Sequence, residues 1–353
     1  MSKGTIKAAI AEIRDRGLHG IEVAVPARFA RGIDVLDGWE EKFRQSCKVF
    51  AHHHGFEPNL IDPKGFTQKQ LLFKFFGLVP IDPVPSDKLL ASCFVPESHR
   101  HLVTLPDRYW ISDRPEVPAD DALPPGRYYF KSNHGWSTHR PITLPMDAQT
   151  RRRLTRLTGR RLTRLTGRWL ADPHQPRLSL WWYERIKRQV FVEEHLGSAM
   201  RDAPDWKFFV CNGRVEVFQV DIDRSANHIQ TLYDRDGTFL PVELFFDSGP
   251  PVEMPPQLDT MIEVAEAIGQ SFDFIRVDFF LKDDRVYLGE IGMVPNGATR
   301  PIRSAELDER LGAAWQPPWL GQGITDFNRG HYPRFKPLPS MSRITAAPPM
   351  VTA

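Results

Sequence analysis

A short apolar strand carries two charged side chains on one face. In Ile275–Phe279 the residues alternate, so that Arg276 and Asp278 lie on one face and the apolar residues lie on the other. A guanidinium beside a carboxylate could form an ordinary surface ion pair on a hairpin. It could also form part of a site for a metal-bound anion.

Whether Glu290 joins this site depends on the turn that precedes it, and the spacing alone leaves both alternatives open. If the turn consists of residues 283–285, Lys282 pairs with Val286 and Asp278 lies directly opposite Glu290. Facing Cβ atoms are about 5 Å apart, so the two carboxylates would repel unless a cation lay between them or one were protonated. Mg²⁺, a hard ion with oxygen ligands, suits such a pair. We therefore predict a magnesium site at Asp278 and Glu290. A turn of two residues would move Glu290 to the other face.

A second candidate site surrounds Lys131. The sequence predicts a strand over 127–131, a polar loop with Gly135 over 132–138, and a returning strand over 141–144. A lysine followed by a glycine loop suits phosphate, because the ammonium supplies charge and backbone N–H groups can donate to the oxygens. Lys88, just after the proline-rich stretch 80–85, is a weaker candidate.

The remaining pattern indicates an α+β protein with antiparallel sheets. Asn212-Gly213 between two apolar runs is a strong signal for a β-hairpin joining 205–211 to 214–220. Apolar residues at helical spacing predict helices over 5–16 and 258–268, and 39–50 could form another. The triplet His52–His54 does not indicate a metal site, since adjacent residues of one element cannot all face one ion.

A tandem copy of eight residues forms the internal repeat. RRLTRLTG occupies 152–159 and again 160–167, after Asp147, which can cap the helix that contains it. The eight arginines of Arg151–Arg168 form either a solvated helix face or a docking patch for an anionic polymer or lipid head group.

Composition excludes several classes of protein. The 353 residues are 41% hydrophobic and 25% charged, and the net charge of +2 gives no global attraction to nucleic acid. Three scattered cysteines fit a reducing compartment, and no transmembrane segment or signal peptide is expected. We expect a cytoplasmic protein with a loose tail over 333–353.

Five motifs occur in an order that resembles ATP-grasp enzymes, and in detail the TupA-like branch, named for a protein of teichuronopeptide biosynthesis. The resembling stretches are SDKLLASCFVPE (86–97), YYFKSNHG (128–135), FVEEHLG (191–197), DWKFFVCNGRV (205–215) and FDFIRVDFFLKDDRVYLGEI (272–291). The resemblance covers about 65–300. It implies an ATP-grasp fold, in which two α+β lobes with antiparallel sheets grip ATP, preceded here by an N-terminal helical extension.

The implied domains are an extension (1–60), an N-terminal lobe (61–125), a central ATP-grasp lobe (126–196), a C-terminal lobe with the metal site (197–332) and the tail. The implied nucleotide-binding residues are Lys88, Lys131, Glu193, Glu194, Leu196, Asp205 and Lys207. Among them, the two lysines would contact the α- and β-phosphates, Glu193 and the Leu196 backbone would lie near the adenine, Asp205 could bind the ribose, and Lys207 would face the phosphates.

The resemblance further implies Asp278 and Glu290 as ligands of Mg²⁺, with Arg276 stabilising charge on the transferred phosphoryl group. Two positions depart from the family's usual pattern: Gly292 stands where many members have Asn, with Asn296 four residues beyond, and Trp136 stands where a small residue is usual.

The implied activity is that of an ATP-dependent carboxylate–amine ligase acting through an acyl phosphate. Its partners would be ATP, a carboxylate acceptor and an amine donor, and the family link suggests an amino acid or peptide joined to a carboxylated sugar of a cell-surface polymer. The alternatives are a phosphotransferase and a nucleotide-binding assembly factor without catalysis.

Deleting one copy of the repeat, Arg160–Gly167, should leave ATP turnover nearly unchanged, because a duplicated surface segment is not expected to line the cleft. If the acceptor is an anionic polymer, its affinity should fall and become less dependent on salt. Loss of ATP turnover in a folded deletion variant would place the repeat at the active site instead.

Overall fold

The computed structural model describes residues 39–59, 62–77, 83–155, 165–171, 180–197, 203–222 and 228–317. The helix predicted over 5–16, the tail and the middle of the tandem repeat lie outside these ranges. The α-helices are α1 Trp39–His54, α2 Phe66–Leu72, α3 Ala148–Thr155, α4 Leu165–Ala171, α5 Leu258–Gly269 and α6 Ala305–Ala314. Short 3-10 turns lie at Ala91–Phe94, Glu97–Leu102, Trp181–Arg185 and Pro295–Ala298, and a π-helical turn, Phe73–Gly77, continues α2.

Two antiparallel sheets form the framework. Their strands are β1 Arg108–Ser112, β2 Gly126–Ser132, β3 His139–Leu144, β4 Val190–Glu194, β5 Asp205–Cys211, β6 Arg214–Ile222, β7 Ile229–Asp234, β8 Phe239–Leu240, β9 Phe274–Lys282 and β10 Arg285–Gly292. The four-stranded sheet has the order β1-β4-β2-β3, and the six-stranded sheet has the order β10-β9-β5-β6-β7-β8. The predicted α+β class with antiparallel sheets is confirmed. The boundaries of the five predicted segments stay a prediction; β1, from the predicted N-terminal lobe, pairs with β4 of the central lobe.

The predicted turn between β9 and β10 is wrong, yet the predicted pairing of Asp278 with Glu290 is correct. The turn has two residues, Asp283 and Asp284, both with positive φ (50° and 59°), so Lys282 pairs with Arg285. This register would turn Glu290 to the opposite face. One extra residue, Gly289, forms a β-bulge between Leu288 and Glu290 and restores the pairing with Asp278.

The hairpin of β5 and β6 is built in the same way. Its two-residue turn is Asn212-Gly213, with φ of 50° and 79°, as the Asn-Gly signal predicts. A bulge at Glu216 shifts the register, so that Lys207 pairs with Gln219 rather than with Phe218. Each bulge therefore keeps the charged residues of two strands on one face.

Each sheet has its own hydrophobic core. One face of the six-stranded sheet packs on α5 through fully buried residues such as Val264, Ile275 and Phe279. The four-stranded sheet buries a smaller cluster that includes Phe130, Val192 and Trp169 of α4. Because the apolar faces are covered, the charged face of the six-stranded sheet is the one that could form a functional site.

Two contacts join the sheets directly. Thr104 forms a bridge to the edge strand β10: its N–H donates to the carbonyl of Val286 at 2.7 Å, and the N–H of Leu288 donates to its carbonyl at 3.0 Å. Lys282 of β9 forms an ion pair with Glu194 of β4. The residues placed by each sheet are therefore held near one another.

The predicted cap at Asp147 is confirmed, since its carboxylate accepts hydrogen bonds from the N–H groups of Gln149 and Thr150 at 2.9 Å. Among the described helices, none is both long enough and apolar enough to cross a membrane.

Replacing Gly289 by alanine should destabilise the protein by about 1–3 kcal/mol, as expected for overpacking. A Cβ there would lie 2.5 Å from the Phe280 ring and 3.2 Å from the Asp278 carbonyl oxygen. The measurement is urea unfolding, with Gly126→Ala as a control, because a Cβ at 126 comes no closer than 3.3 Å to its neighbours. Equal stability of the two variants would contradict the importance of the bulge.

Candidate functional site

Arg276 and Asp278 form a paired contact on the sheet face. Arg276 Nε donates to Asp278 Oδ1 at 2.7 Å, and its terminal nitrogen donates to Oδ2 at 2.7 Å. The pair is not the surface ion pair considered from the sequence, because Asp278 is only 1% exposed. Burial raises the pKa of this carboxyl, but Arg276 and Lys207 outweigh burial and hold the pKa below its usual range.

Lys207 lies at the centre of a group of carboxylates. Its Nζ donates to Asp278 Oδ2 at 2.8 Å, forms a closer ion pair with Asp205, and lies 3.9 Å from Asp221 Oδ2. All four residues are less than 5% exposed. The cations that offset repulsion in this structure are therefore protein side chains.

Glu290 lies at the open side of this cluster. Its side chain is 26% exposed, and its nearest ion-pair partner in the described structure is Lys88 Nζ at 4.0 Å. Burial lowers the pKa of Lys88, and Glu290 counteracts this effect. Burial likewise opposes the charge on Arg276, but Asp278 and Glu290 raise the pKa of the guanidinium above its usual value.

The donor set fits a divalent cation. Asp205, Asp221, Asp278 and Glu290 carry four negative charges on one sheet face, against two positive charges on Lys207 and Arg276. Asp278 Oδ1 accepts only from Arg276 among the described contacts, which leaves it a lone pair beside the less engaged Glu290. Carboxylate oxygens are the ligands that Mg²⁺ prefers. No group of three or more His, Cys, Asp or Glu side chains arranged for a metal occurs in the described ranges.

The glycine loop is rigid at its base. Ser132, Asn133 and His134 are fully buried; Asn133 Nδ2 donates to Asp87 Oδ1 at 3.1 Å, and Asn133 Oδ1 accepts from the N–H of Gln189 at 2.9 Å. Gly135, at the tip, has a φ of 75°. Lys88 Nζ donates to its carbonyl at 2.6 Å. Lys88 therefore lies between the loop of one sheet and Glu290 of the other.

Lys131 projects from the end of β2 beside this loop. It forms an ion pair with Glu193 of β4, and its Nζ lies 5.1 Å from the centre of the Tyr129 ring. The structure thus brings Lys131 and Glu193 together. The Lys131 side chain is 16% exposed, so an anion could approach the ammonium while it stays paired with Glu193.

The predicted adenine hinge lies at the end of β4. Glu194 is engaged with Lys282, and Leu196 is buried immediately beyond the strand. Between them, the His195 ring stacks on the Tyr129 ring with centroids 4.8 Å apart. Much of the insertion at 197–204 lies outside the described residues.

Comparison with known proteins identifies part of the chain. Residues 178–316 match the family model described as TupA-like ATPgrasp. Over these residues the chain is similar to TupA-like ATP-grasp proteins. This match confirms the resemblance for the three motifs that lie within it, at 191–197, 205–215 and 272–291. It contains Lys207, Arg276, Asp278 and Glu290.

Solved structures that match the chain include ATP-grasp ligases. The ligase PsnB complexed with minimal precursor, Mg and ADP is 14% identical, with a TM-score of 0.33, over 69% of this chain and 59% of that chain. The D-alanine–D-alanine ligase from Bacillus anthracis complexed with ATP is 12% identical, with a TM-score of 0.34, over 69% and 67%. The D-alanyl-alanine synthetase A from Vibrio cholerae is 13% identical, with a TM-score of 0.36, over 74% and 72%. The chain thus spans less than two thirds of the length of the PsnB chain. No curated protein matches.

The structure explains why glycine stands at position 292, where the ATP-grasp pattern usually has Asn. Gly292 pairs with Arg276, and a Cβ at 292 would lie 3.3 Å from the guanidinium. Arg276 therefore fills the space that a side chain at 292 would need. Asn296 is exposed in the following turn, with a φ of 49°.

Sequence reasoning missed residues that the fold adds to the site. Burial and the nearby Glu290 raise the pKa of Tyr183, a residue of the turn before β4 that no motif indicates. Gln219 and Asp221 of β6 lie on the same face as Lys207, and His228 lies beside Asp221. The alternation of Gln219 and Asp221 with Val220 is visible in the sequence. The bulge at Glu216, however, determines which face of the sheet Gln219 and Asp221 occupy.

Asp278→Asn and Glu290→Gln should have different effects on the stability of the protein without nucleotide. Both should reduce the stabilisation that Mg²⁺ with ATP provides. Without nucleotide, Asp278→Asn should cost about 3 kcal/mol or more, because it leaves Arg276 and Lys207 incompletely paired in a buried site. Glu290→Gln should melt close to wild type, because among the ion pairs of the described residues its carboxylate makes just the 4.0 Å contact with Lys88. Both should lose most of the stabilisation that Mg²⁺ with ATP gives the wild type. Full stabilisation of either variant would exclude that residue as a metal ligand.

Proposed function

We propose that this protein is an ATP-dependent carboxylate–amine ligase that acts through an acyl phosphate. The observation that carries the proposal is the position of Lys88, whose Nζ donates to the Gly135 carbonyl and lies 4.0 Å from Glu290. A loop suited to phosphate and a carboxylate pair suited to Mg²⁺ therefore share one cation. The TupA-like ATP-grasp match supports the same conclusion.

In this proposal Lys88 and Lys131 bind the phosphates as charge partners of the glycine loop. The end of β4, with Glu193, Glu194 and Leu196, lies along the adenine. Glu193 also holds Lys131 through their ion pair. Lys207 would reach phosphate while remaining paired with Asp278, and Asp205 would bind ribose or, through its contact with Lys207, support that lysine.

Asp278 and Glu290 would hold Mg²⁺, which when bound neutralises phosphate charge and orients the transferred group. Arg276 lies on the same face and is fixed by both oxygens of Asp278. Its guanidinium is therefore preorganised, and it needs little reorganisation to stabilise charge as the γ-phosphoryl group moves to the substrate carboxylate. An amine then attacks the acyl carbon, and phosphate leaves.

For the substrates, we propose an amino acid or peptide as amine donor and a carboxylated sugar of a cell-surface polymer as acceptor. The support is the family's link to teichuronopeptide biosynthesis. Among the similar structures, PsnB is complexed with a precursor peptide and another is a D-alanine–D-alanine ligase.

Hydroxylamine offers a test that needs no knowledge of the amine. The protein, ATP and Mg²⁺ would be incubated with hydroxylamine and a panel of carboxylates that includes D-glucuronate, D-galacturonate, D-alanine and L-glutamate. We expect ADP and a hydroxamate from one class of carboxylate, because acyl phosphates react readily with hydroxylamine. Arg276→Ala should lower the yield by at least about 100-fold, the usual effect of removing one such stabilising group.

Other outcomes identify the alternatives. A phosphorylated product that is stable to hydroxylamine would indicate a phosphotransferase. ATP binding without any turnover across the panel would favour a non-catalytic assembly factor.

A further inference from the structure

A buried polar network extends from the proposed phosphate site across β5 to β7. Asp221 Oδ1 accepts from Gln219 Nε2 at 3.0 Å and from Gln230 Nε2 at 2.9 Å, and Lys207 lies 3.9 Å from its other oxygen. Asp221 is 3% exposed. A carboxylate so deeply buried and so fully surrounded by donors is held in one orientation.

His228 lies at the outer end of this network. Its Nε2 is buried and lies 3.4 Å from Asp221 Oδ1, while the side chain as a whole keeps 22% of its surface exposed. No hydrogen bond to Nε2 is formed at this distance, and contacts between catalytic groups are often long or poorly aligned without substrate. A partly exposed imidazole with one nitrogen toward a buried carboxylate is an arrangement that suits a general base.

Packing against an aromatic ring also holds the His228 imidazole in place. The Phe246 ring lies with its centroid 4.2 Å from that of His228. Gln230 Oε1 accepts from the N–H groups of Phe245 and Phe246 at 3.2 and 3.3 Å. One glutamine side chain thus positions both the carboxylate that faces the imidazole and the ring that packs on it.

The position suits the second half-reaction. Asp278 pairs with Lys207, and Lys207 pairs with Gln219, so the metal ligand and the strand of Asp221 are two strand spacings apart. This separation is about 10 Å. Lys207 Nζ bridges this separation, at 2.8 Å from Asp278 Oδ2 and 3.9 Å from Asp221 Oδ2, so one ammonium links the proposed metal ligand to the carboxylate that faces His228.

We propose that His228 is the general base for the amine donor and that Asp221 is the residue that positions it. This inference rests on the proposed ligase function. With Nε2–H directed at Asp221, Nδ1 takes one proton from the donor's ammonium group. The freed nitrogen lone pair forms the C–N bond as the acyl C–O bond breaks. Phosphate leaves with that electron pair and takes up the second N–H proton, and His228 later releases the first to solvent.

The test compares two nucleophiles in the same enzyme. Amino acids carry an ammonium group at neutral pH and need a base, whereas hydroxylamine is largely unprotonated and does not. We expect His228→Ala to lower amide formation with a mixture of the common amino acids by about 100-fold or more, within the usual range for general-base catalysis. Hydroxamate formation from the same carboxylate should stay within about threefold of wild type by the same reasoning.

Control variants separate catalysis from folding. Asp221→Asn should show the same selectivity for hydroxylamine with a smaller loss, and His228→Gln serves if the alanine variant does not fold. His99→Ala is the matched control, because His99 Nε2 lies 3.5 Å from Glu263 on the outer surface and should affect neither nucleophile.

Equal loss with both nucleophiles, or no loss with either, would overturn the role of His228 while leaving the ligase function in place. Absence of hydroxamate with the wild-type enzyme across the carboxylate panel would overturn the ligase function and, with it, this inference.

Discussion

The charged face of the six-stranded sheet depends on the contacts of Asp278 with Arg276 and Lys207. A buried carboxylate would be costly without partners, and here two cations from neighbouring strand positions satisfy both oxygens. These contacts fix the direction of Arg276 and engage Lys207, which in turn reaches Asp205 and Asp221. Glu290 and Lys88 remain the less constrained members, at the side where a nucleotide would enter.

The ion-pair network also explains why the repulsion between Asp278 and Glu290 does not by itself require a metal ion. Two facing carboxylates do call for a cation, and the sequence correctly placed Asp278 opposite Glu290. The protein already has cationic side chains on the same face. A metal would therefore add positive charge to a site whose charges are already partly neutralised. The position of Arg276 beside Asp278 on one face was visible in the alternation of the strand.

Most elements could be predicted because they have strong local signals. The Asn212-Gly213 turn, the apolar face of α5 and the strand before Lys131 each follow from a few adjacent residues. The registers could not be predicted in the same way, because a bulge is chosen by packing across strands. Gly289 and Glu216 each change the face of every residue beyond them. Asp221 and His228 were missed for this reason, since their nearness to Lys207 exists only once both hairpins have their bulges.

The bridge at Thr104 has a mechanical consequence. This residue is bonded to the edge of the six-stranded sheet, and β1 of the four-stranded sheet begins at Arg108. The three residues between them span roughly 10–14 Å even when fully extended. They act as a short tether, so the two sheets cannot separate widely along this edge.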